Sequence, residues 1–342
     1  MAGTLSRSRC LGAVLVAAVT LPNAAAAAST TLPWPELMRP QLTPTDGAQS
    51  PSDKALFASR TRLDQIGRIL VPVMLNGRGP FRFVVDTGAS HSTISPRTAA
   101  ALGLTPASDA LVAVNGITGA DELPAVSIER LQAGDLVLQN TNLPIVSTPM
   151  LADSDGILGA AGLTSDRLLV DFEHDRVVLT HSRGADAGNN FARIPARRVR
   201  GGLIMVRVRV GRVAADAVID TGSERTLGNL ALRDALHAKH PSDPITLVTP
   251  VFGATSAISS GEVEMAPVIA LGSARIAHLP VVFGAFHIFK VWSLESQPAL
   301  IIGMDALGTL DALSIDFGRG DFYVRSPDMD SSALTIIHTA GR

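Results

Sequence analysis

The chain has 342 residues, length for about two domains. Its 46% hydrophobic against 18% charged residues exclude a disordered polyelectrolyte and a coiled coil. Twenty-nine Lys and Arg face 31 Asp and Glu, a net charge of -2 with no long run of either sign, so the chain lacks the electrostatic footprint of a nucleic-acid binder. Aromatics are 4% with a single Tyr, too few for stacking platforms, and one cysteine, Cys10, excludes an internal disulfide, a Cys-based zinc site and an iron-sulfur centre.

At the N-terminus, Arg7 and Arg9 precede an apolar stretch from Leu11 to Leu21, and an alanine run ending at Ala28 supplies small-residue cleavage sites. This reads as a secretory signal peptide over residues 1–28, because the stretch is shorter than a membrane anchor and is interrupted by Pro22. Cleavage removes Cys10 and leaves a cysteine-free chain in a bacterial periplasm or in the medium, with no membrane span. Residues 29–61 carry Pro33, Pro35, Pro40, Pro44 and Pro51, which predicts an extended linker or a removable propeptide.

From Gly67 onward the chain repeats itself. Ile69 to Gly77 followed by Pro80 to Ser90 is answered by Leu203 to Gly211 followed by Ala214 to Glu224. Each passage is a strand, a Gly turn, a β-branched strand and then Asp-Thr-Gly. Further on, Gly156-Ile157-Leu158-Gly159 and Leu168 to Phe172 are echoed by Leu300-Ile301-Ile302-Gly303 and Leu313 to Phe317. Between these landmarks, Val114 to Gly119 and Val251 to Ser256 read as hairpin tips. The fold class is therefore all-β, two copies of one unit, with halves at 62–184 and 199–342 joined by a connection at 185–198.

Asp-Thr-Gly is good turn chemistry by itself, so one copy means little. Two copies, each ending a buried strand, place Asp86 and Asp220 where a carboxylate is costly unless paired or hydrogen-bonded. If the halves pack about a pseudo-twofold axis, the two loops meet. Gly88 and Gly222 then permit close approach, and the Thr87 and Thr221 hydroxyls can bond to the opposite loop's backbone. Two carboxyls that close share one proton, and such a pair can act as base on a water and as acid toward a carbonyl. The natural reaction is direct amide hydrolysis, with no cofactor and no metal.

The strings Val84-Val85-Asp86-Thr87-Gly88-Ala89-Ser90, Val218-Ile219-Asp220-Thr221-Gly222-Ser223 and Ile301-Ile302-Gly303-Met304-Asp305-Ala306-Leu307 resemble the aspartic peptidase superfamily, most closely its bacterial retropepsin-like members, over residues 67–325. The resemblance implies two acid-protease-like β-barrel lobes with a substrate cleft between them. It implies Asp86 and Asp220 as the catalytic pair, supported by Thr87, Gly88, Ala89, Thr221, Gly222 and Ser223. Gly116 and Gly253 fall near flap tips, so Asn115, Gly116, Ile117, Phe252, Gly253 and Ala254 are the expected substrate-covering residues. The partner is then a protein or peptide substrate, and one chain holds both halves of the site, so a monomer suffices.

Departures from the better-known pattern are visible. Neither hairpin tip holds a Tyr, since Tyr323 is the only one, and Ala161 stands where the second half has Asp305. Ala89 and Ser223 differ after Asp-Thr-Gly, and a Ser hydroxyl bonded to the carboxylate would make the pair asymmetric, with an acidic to mildly acidic optimum. His237 and His240 have helical spacing but no third ligand, which favours a solvated helix end. Arg319-Gly320-Asp321 reads as a hairpin turn. The expected function is an exported aspartic endopeptidase; the other class considered is a non-catalytic peptide-binding or assembly module of the same fold, which would not need both carboxyls.

Overall fold

Val206, Val208 and Val210 are buried while Arg207 and Arg209 are exposed, the period-two pattern that commits one face of a strand to a core. Phe83, Val84 and Val85 are all fully buried, as in a strand covered on both faces. Each such side chain contributes about 1.5–3 kcal/mol by leaving water. These patterns recur through a computed structural model that describes residues 62–64, 67–106, 111–147, 149–151, 153–183, 187–188, 190–239 and 247–326, with the backbone of short strands at 13–14, 19–20 and 55–60.

In chain order, β1 (Ala13–Val14), β2 (Val19–Thr20), β3 (Ala55–Arg60) and β4 (Arg62–Leu63) precede β5 (Ile69–Leu75) and β6 (Arg78–Asp86). Next come β7 (Thr93–Ile94), α1 (Pro96–Leu102), β8 (Leu111–Asn115), β9 (Ala120–Ala133) and β10 (Leu136–Pro144). The first half closes with β11 (Gly156–Gly159), β12 (Asp166–Asp171) and β13 (Arg176–His181).

After β14 (Ala192–Ile194) and β15 (Ala196–Arg198), the second half runs β16 (Ile204–Val210), β17 (Val213–Ile219), β18 (Leu227–Gly228) and α2 (Leu230–Lys239). It continues with β19 (Leu247–Phe252), β20 (Ile258–Met265), β21 (Ile269–Leu271), β22 (Ala274–Ile276) and β23 (Pro280–Phe283). Last are α3 (His287–Val291), β24 (Ala299–Ile302), α4 (Met304–Leu307), β25 (Ala312–Asp316) and β26 (Asp321–Arg325).

One sheet belongs to the first half, in the order β1-β8-β9-β5-β6-β11-β7, with β10 on β9 and β4 on β5. Another belongs to the second, in the order β2-β19-β20-β23-β18-β24-β17-β16-β21-β22, with β15 on β16. The third, β14-β26-β25-β12-β13-β3, draws strands from both. Within it Leu169 of β12 pairs with Ser314 of β25, so the two echoed strand segments are neighbours across the halves. The architecture is mostly β, 51% strand and 14% helix, with a curled half-barrel sheet.

Two expected connections do more than connect. The arm expected over 29–61 contains β3, which forms the edge of the third sheet on β13, and the stretch at 185–198 contains β14 and β15. A short helix also follows each Asp-Thr-Gly loop. Ser95 caps α1 by accepting from Thr98 N at 3.1 Å, with Pro96 opening the helix and Gly103 ending it at φ 71°. Asn229 does the same before α2, accepting from Leu232 N at 2.8 Å.

Candidate functional site: two buried carboxyls under paired hairpins

Each aspartate sits at the end of a strand held by a parallel neighbour. Val85 and Asp86 pair with Leu158 and Gly159 of β11, while Val218 and Ile219 pair with Ile301 and Ile302 of β24. The apolar-Gly echo of the sequence is therefore the strand beside each Asp-bearing strand. The chain turns back at once after each aspartate, and the carboxyl stitches that turn. Asp86 Oδ1 accepts from Gly88 N at 2.9 Å and Ala89 N at 2.8 Å; Asp220 Oδ1 accepts from Gly222 N at 2.8 Å and Ser223 N at 3.1 Å.

The loops interlock through their threonines. Thr87 Oγ1 donates to Ile219 O at 2.8 Å and accepts from Thr221 N at 3.1 Å; Thr221 Oγ1 donates to Val85 O at 2.7 Å and accepts from Thr87 N at 3.2 Å. All four groups are buried, where an unpaired polar atom would cost about 1–3 kcal/mol. A Cβ added at Gly88 would overlap the Asp220 carboxyl, and one at Gly222 would overlap that of Asp86. Only glycine fits at either position.

Asp86 is 1% exposed and Asp220 0%. Their outer oxygens, Oδ2 in each case, accept from no other donor, so a proton shared between the two carboxyls is the means of satisfying them. Burial pushes Asp86 up to about 6, restrained by its hydrogen bond with Asp220, by the positive charge of Arg68 and by its two backbone donors. Asp220 is raised well above the usual carboxylate range by burial and then by the charge of Asp86. Burial thus holds both carboxyls above the ordinary carboxylate range, and they titrate as a pair that shares a proton.

Arg68 is the residue that the sequence reading missed. It is fully buried, its Nε donates to Asp64 Oδ2 at 2.8 Å, and its backbone N–H donates to Asp64 Oδ1 at 2.8 Å. Eighteen positions separate Arg68 from Asp86, but the β5–β6 hairpin folds the intervening chain back on itself. The Ser223 hydroxyl, expected to bond the carboxylate, instead donates to Arg225 O at 2.7 Å.

The hairpins β8–β9 and β19–β20, expected as covers, touch at their tips. Thr118 Oγ1 lies 3.1 Å from Thr255 Oγ1, and Ser256 N donates to Asp121 Oδ2 at 2.6 Å. Ile117 is fully buried and Ala254 is 1% exposed, and Ala254 packs with Leu70, Ala89, Val114, Met150, Leu151 and Ile157 of the first half. Gly116 and Gly253 approach the opposite tip closely. Asn115 Oδ1 lies 3.2 Å from His287 Nε2 of α3, beside a cavity of about 420 Å³ lined by Asn229, Phe286, His287 and Phe289. Phe252 ends β19 and is half-buried.

Asp305 supports the second loop only. Its carboxylate accepts from Thr226 N at 3.0 Å and from Thr226 Oγ1 at 2.7 Å. At the matching place Ala161 offers only its backbone, donating to Ser90 O at 3.0 Å as Asp305 donates to Glu224 O at 3.1 Å.

Elsewhere, His237 Nε2 meets Glu264 Oε2 at 2.8 Å on the last turn of α2, and His240 lies outside the described residues. Gly320, at φ 72°, turns β25 into β26. Among the described residues Asp171, Glu173 and His174 gather potential metal ligands, but Arg325 Nη2 already donates to Asp171 Oδ1 at 2.9 Å and Glu173 Oε2 at 3.0 Å. No helix among the described residues is long and apolar enough to cross a membrane.

Two interlocked Asp-Thr-Gly turns thus bring two buried carboxyls together in a mostly β chain. Residues 71–161, which contain Asp86 and the β8–β9 hairpin, match the family model described as aspartyl protease. No curated protein matches the chain.

Proposed function

We propose that the protein is an exported aspartic endopeptidase whose two halves, related by a pseudo-twofold axis, form two lobes around one peptide cleft. The observation that carries this reading is the pair of carboxyls, interlocked by threonines and left to share a proton. Asp86, whose charged form the positive charge of Arg68 favours, acts as the base and Asp220 as the acid. The Asp86 carboxylate takes a proton from a water as the water oxygen bonds to the peptide carbonyl carbon, and Asp220 gives its proton to the carbonyl oxygen. On collapse the C–N bond breaks, the leaving nitrogen takes the proton from Asp86, and Asp220 regains one from the hydroxyl that becomes the new carboxyl group.

The supporting residues Thr87, Gly88, Ala89, Thr221, Gly222 and Ser223 fix the carboxyls. Asn115, Gly116, Ile117, Phe252, Gly253 and Ala254 cover an extended substrate. One chain supplies both carboxyls, so a monomer is complete, and the features of residues 1–28 support export. The test is hydrolysis of a peptide mixture by the full chain across about pH 4 to 8, beside Asp86→Asn and Asp220→Asn. Cleavage by the parent alone supports the reading; a fully active single variant, or an inactive parent, overturns it.

A further inference from the structure

The near-neutral total charge conceals a segregated one. Seven arginines and no acidic residue fall between positions 190 and 215. Strand register then sorts them by face. Arg207 and Arg209 alternate with the buried Val206, Val208 and Val210, so both point away from the core. Residues directly opposite one another share a face, and Arg209 stands opposite Ala214 of β17 and Ala270 of β21, with Ala270 in turn opposite Arg275 of β22. Arg212, also exposed, lies in the turn from β16 to β17.

Asp216 is on the same face, accepting from Arg207 Nη1 at 2.8 Å and from Arg197 Nη2 at 3.3 Å. Its side chain is 11% exposed against 59% for Arg197 and 65% for Arg207, so the carboxylate lies beneath two guanidinium groups that reach solvent. It is the only acidic residue in β15, β16, β17, β21 and β22, which contain no lysine. Arg209 and Arg212 have no acidic partner among the described residues, and Arg275 bonds to the carbonyls of Gly272 and Ala274. Five arginines against one aspartate leave a surplus of positive charge on this face in a chain of net charge -2.

We infer that this arginine face is a docking surface for an anionic lipid bilayer, which it meets through the lipid phosphate groups. Strands lie about 4.8 Å apart, so the row from Ala214 to Arg275 spans about 14 Å. Ala214, Ala270 and Val268 lie among the arginines, and side chains so short let the guanidinium groups reach one plane. A planar array of cations matches the headgroup plane of a membrane, whereas one extended acidic chain would meet a single row. The guanidinium fork also suits phosphate, which it binds with two parallel hydrogen bonds. The inference is independent of the peptidase reading.

Each arginine near an anionic bilayer strengthens binding by roughly fivefold, an effect that salt screens. The test is sedimentation of the full chain with vesicles of phosphatidylcholine, with and without phosphatidylglycerol, beside the same chain carrying Arg209→Gln, Arg212→Gln and Arg275→Gln. The phosphatidylglycerol vesicles should bind the parent more tightly, salt should reduce that preference, and the triple variant should lower it by at least about tenfold. Attachment through the apolar stretch Leu11 to Leu21 is common to parent and variants and cancels in the comparison. Urea unfolding of the triple variant should match the parent's, since all three side chains are exposed. A second variant with Arg78→Gln, Arg130→Gln and Arg176→Gln removes the same charge from exposed positions of the first half and should keep the preference. Equal preference in the parent and the first variant, or equal loss in both variants, overturns the inference. Binding of soluble polyglutamate that phosphatidylglycerol vesicles do not displace would point to an acidic protein partner and overturn it as well.

Discussion

Leu70 pairs with Val84 and Met205 with Val218, each partner lying two residues before its aspartate, so the strand register sets Arg68 of the first half against Leu203 of the second. Both positions are fully buried. The backbone turn, the two N–H donors to Oδ1 and the threonine lock are the same on both sides. One half adds a guanidinium and the other a leucine. Two loops of one geometry thus sit beside unequal neighbours, and the positive charge of Arg68 favours the ionised form of Asp86.

Removing either carboxyl should have the largest effect. Asp86→Asn or Asp220→Asn is expected to lower kcat/KM by about a thousandfold or more, since acid and base act as a unit. Stability should move the other way. Asp86 is raised in the folded state, so the native protein binds protons that the unfolded chain has released, and stability falls as pH rises from about 4 through about 6. Asparagine escapes that loss and still accepts through Oδ1. At pH 7 the Asp86→Asn protein should be more stable, by on the order of 3 kcal/mol, in urea unfolding. An Asn variant that is less stable at pH 7 and unchanged at pH 4 would reverse the sign.

Arg68→Leu makes the first half like the second. The buried Asp64 carboxylate loses its guanidinium, and breaking such a pair costs about 3–5 kcal/mol. The charge that restrains Asp86 also disappears, so the rising limb of kcat/KM against pH should move upward from about 6. Lysine at 68 should restore much of the limb's position and less of the stability, because it cannot reproduce the guanidinium's contacts. A limb that stays in place in folded Arg68→Leu protein would show that the asymmetry does not come from this charge.

Asp305→Ala carries the comparison to the strand behind each loop. Thr226 would lose two hydrogen bonds, its buried N–H and hydroxyl proton left without an acceptor while Oγ1 still accepts from Gly303 N at 3.2 Å, a cost of about 1–3 kcal/mol. The reverse change, Ala161→Asp, is on an exposed residue and should alter stability by less than about 0.5 kcal/mol. Equal and large effects at both positions would mean that the first half relies on a buried network there as well.

What could be read in the sequence was local. Continuous apolar runs ending in Asp-Thr-Gly identify strands covered on both faces with a tight turn at the end, and both signals lie within a dozen residues. The echoed Ile-Leu-Gly and Ile-Ile-Gly segments were legible as repeats, but not as the parallel neighbours of the aspartate strands, because pairing joins positions 73 residues apart in one half and 83 in the other. The third sheet was hidden for the same reason: β12 and β25 look like equivalent strands of separate units, and only packing turns them into partners. Arg68 carries no motif. Its position follows from the β5–β6 pairing, and a lone arginine before a strand is otherwise unremarkable.

The smallest expected effect concerns the difference most visible in sequence, Ala89 against Ser223. Beside a carboxylate, a hydroxyl that donates to it would favour the charged form and shift the pH profile. The Ser223 hydroxyl instead spends its proton on Arg225 O, and Asp220 is reached by the Ser223 N–H, which alanine also has. Ser223→Ala should therefore leave both limbs of the kcat/KM profile within about 0.3 pH of the parent, with a stability loss of about 1 kcal/mol for the missing bond to Arg225. Ala89→Ser should be equally quiet if the new hydroxyl finds the carbonyl two residues on. A shift of half a pH unit or more in Ser223→Ala would place the hydroxyl on the carboxylate and return the asymmetry of the pair to the loops themselves.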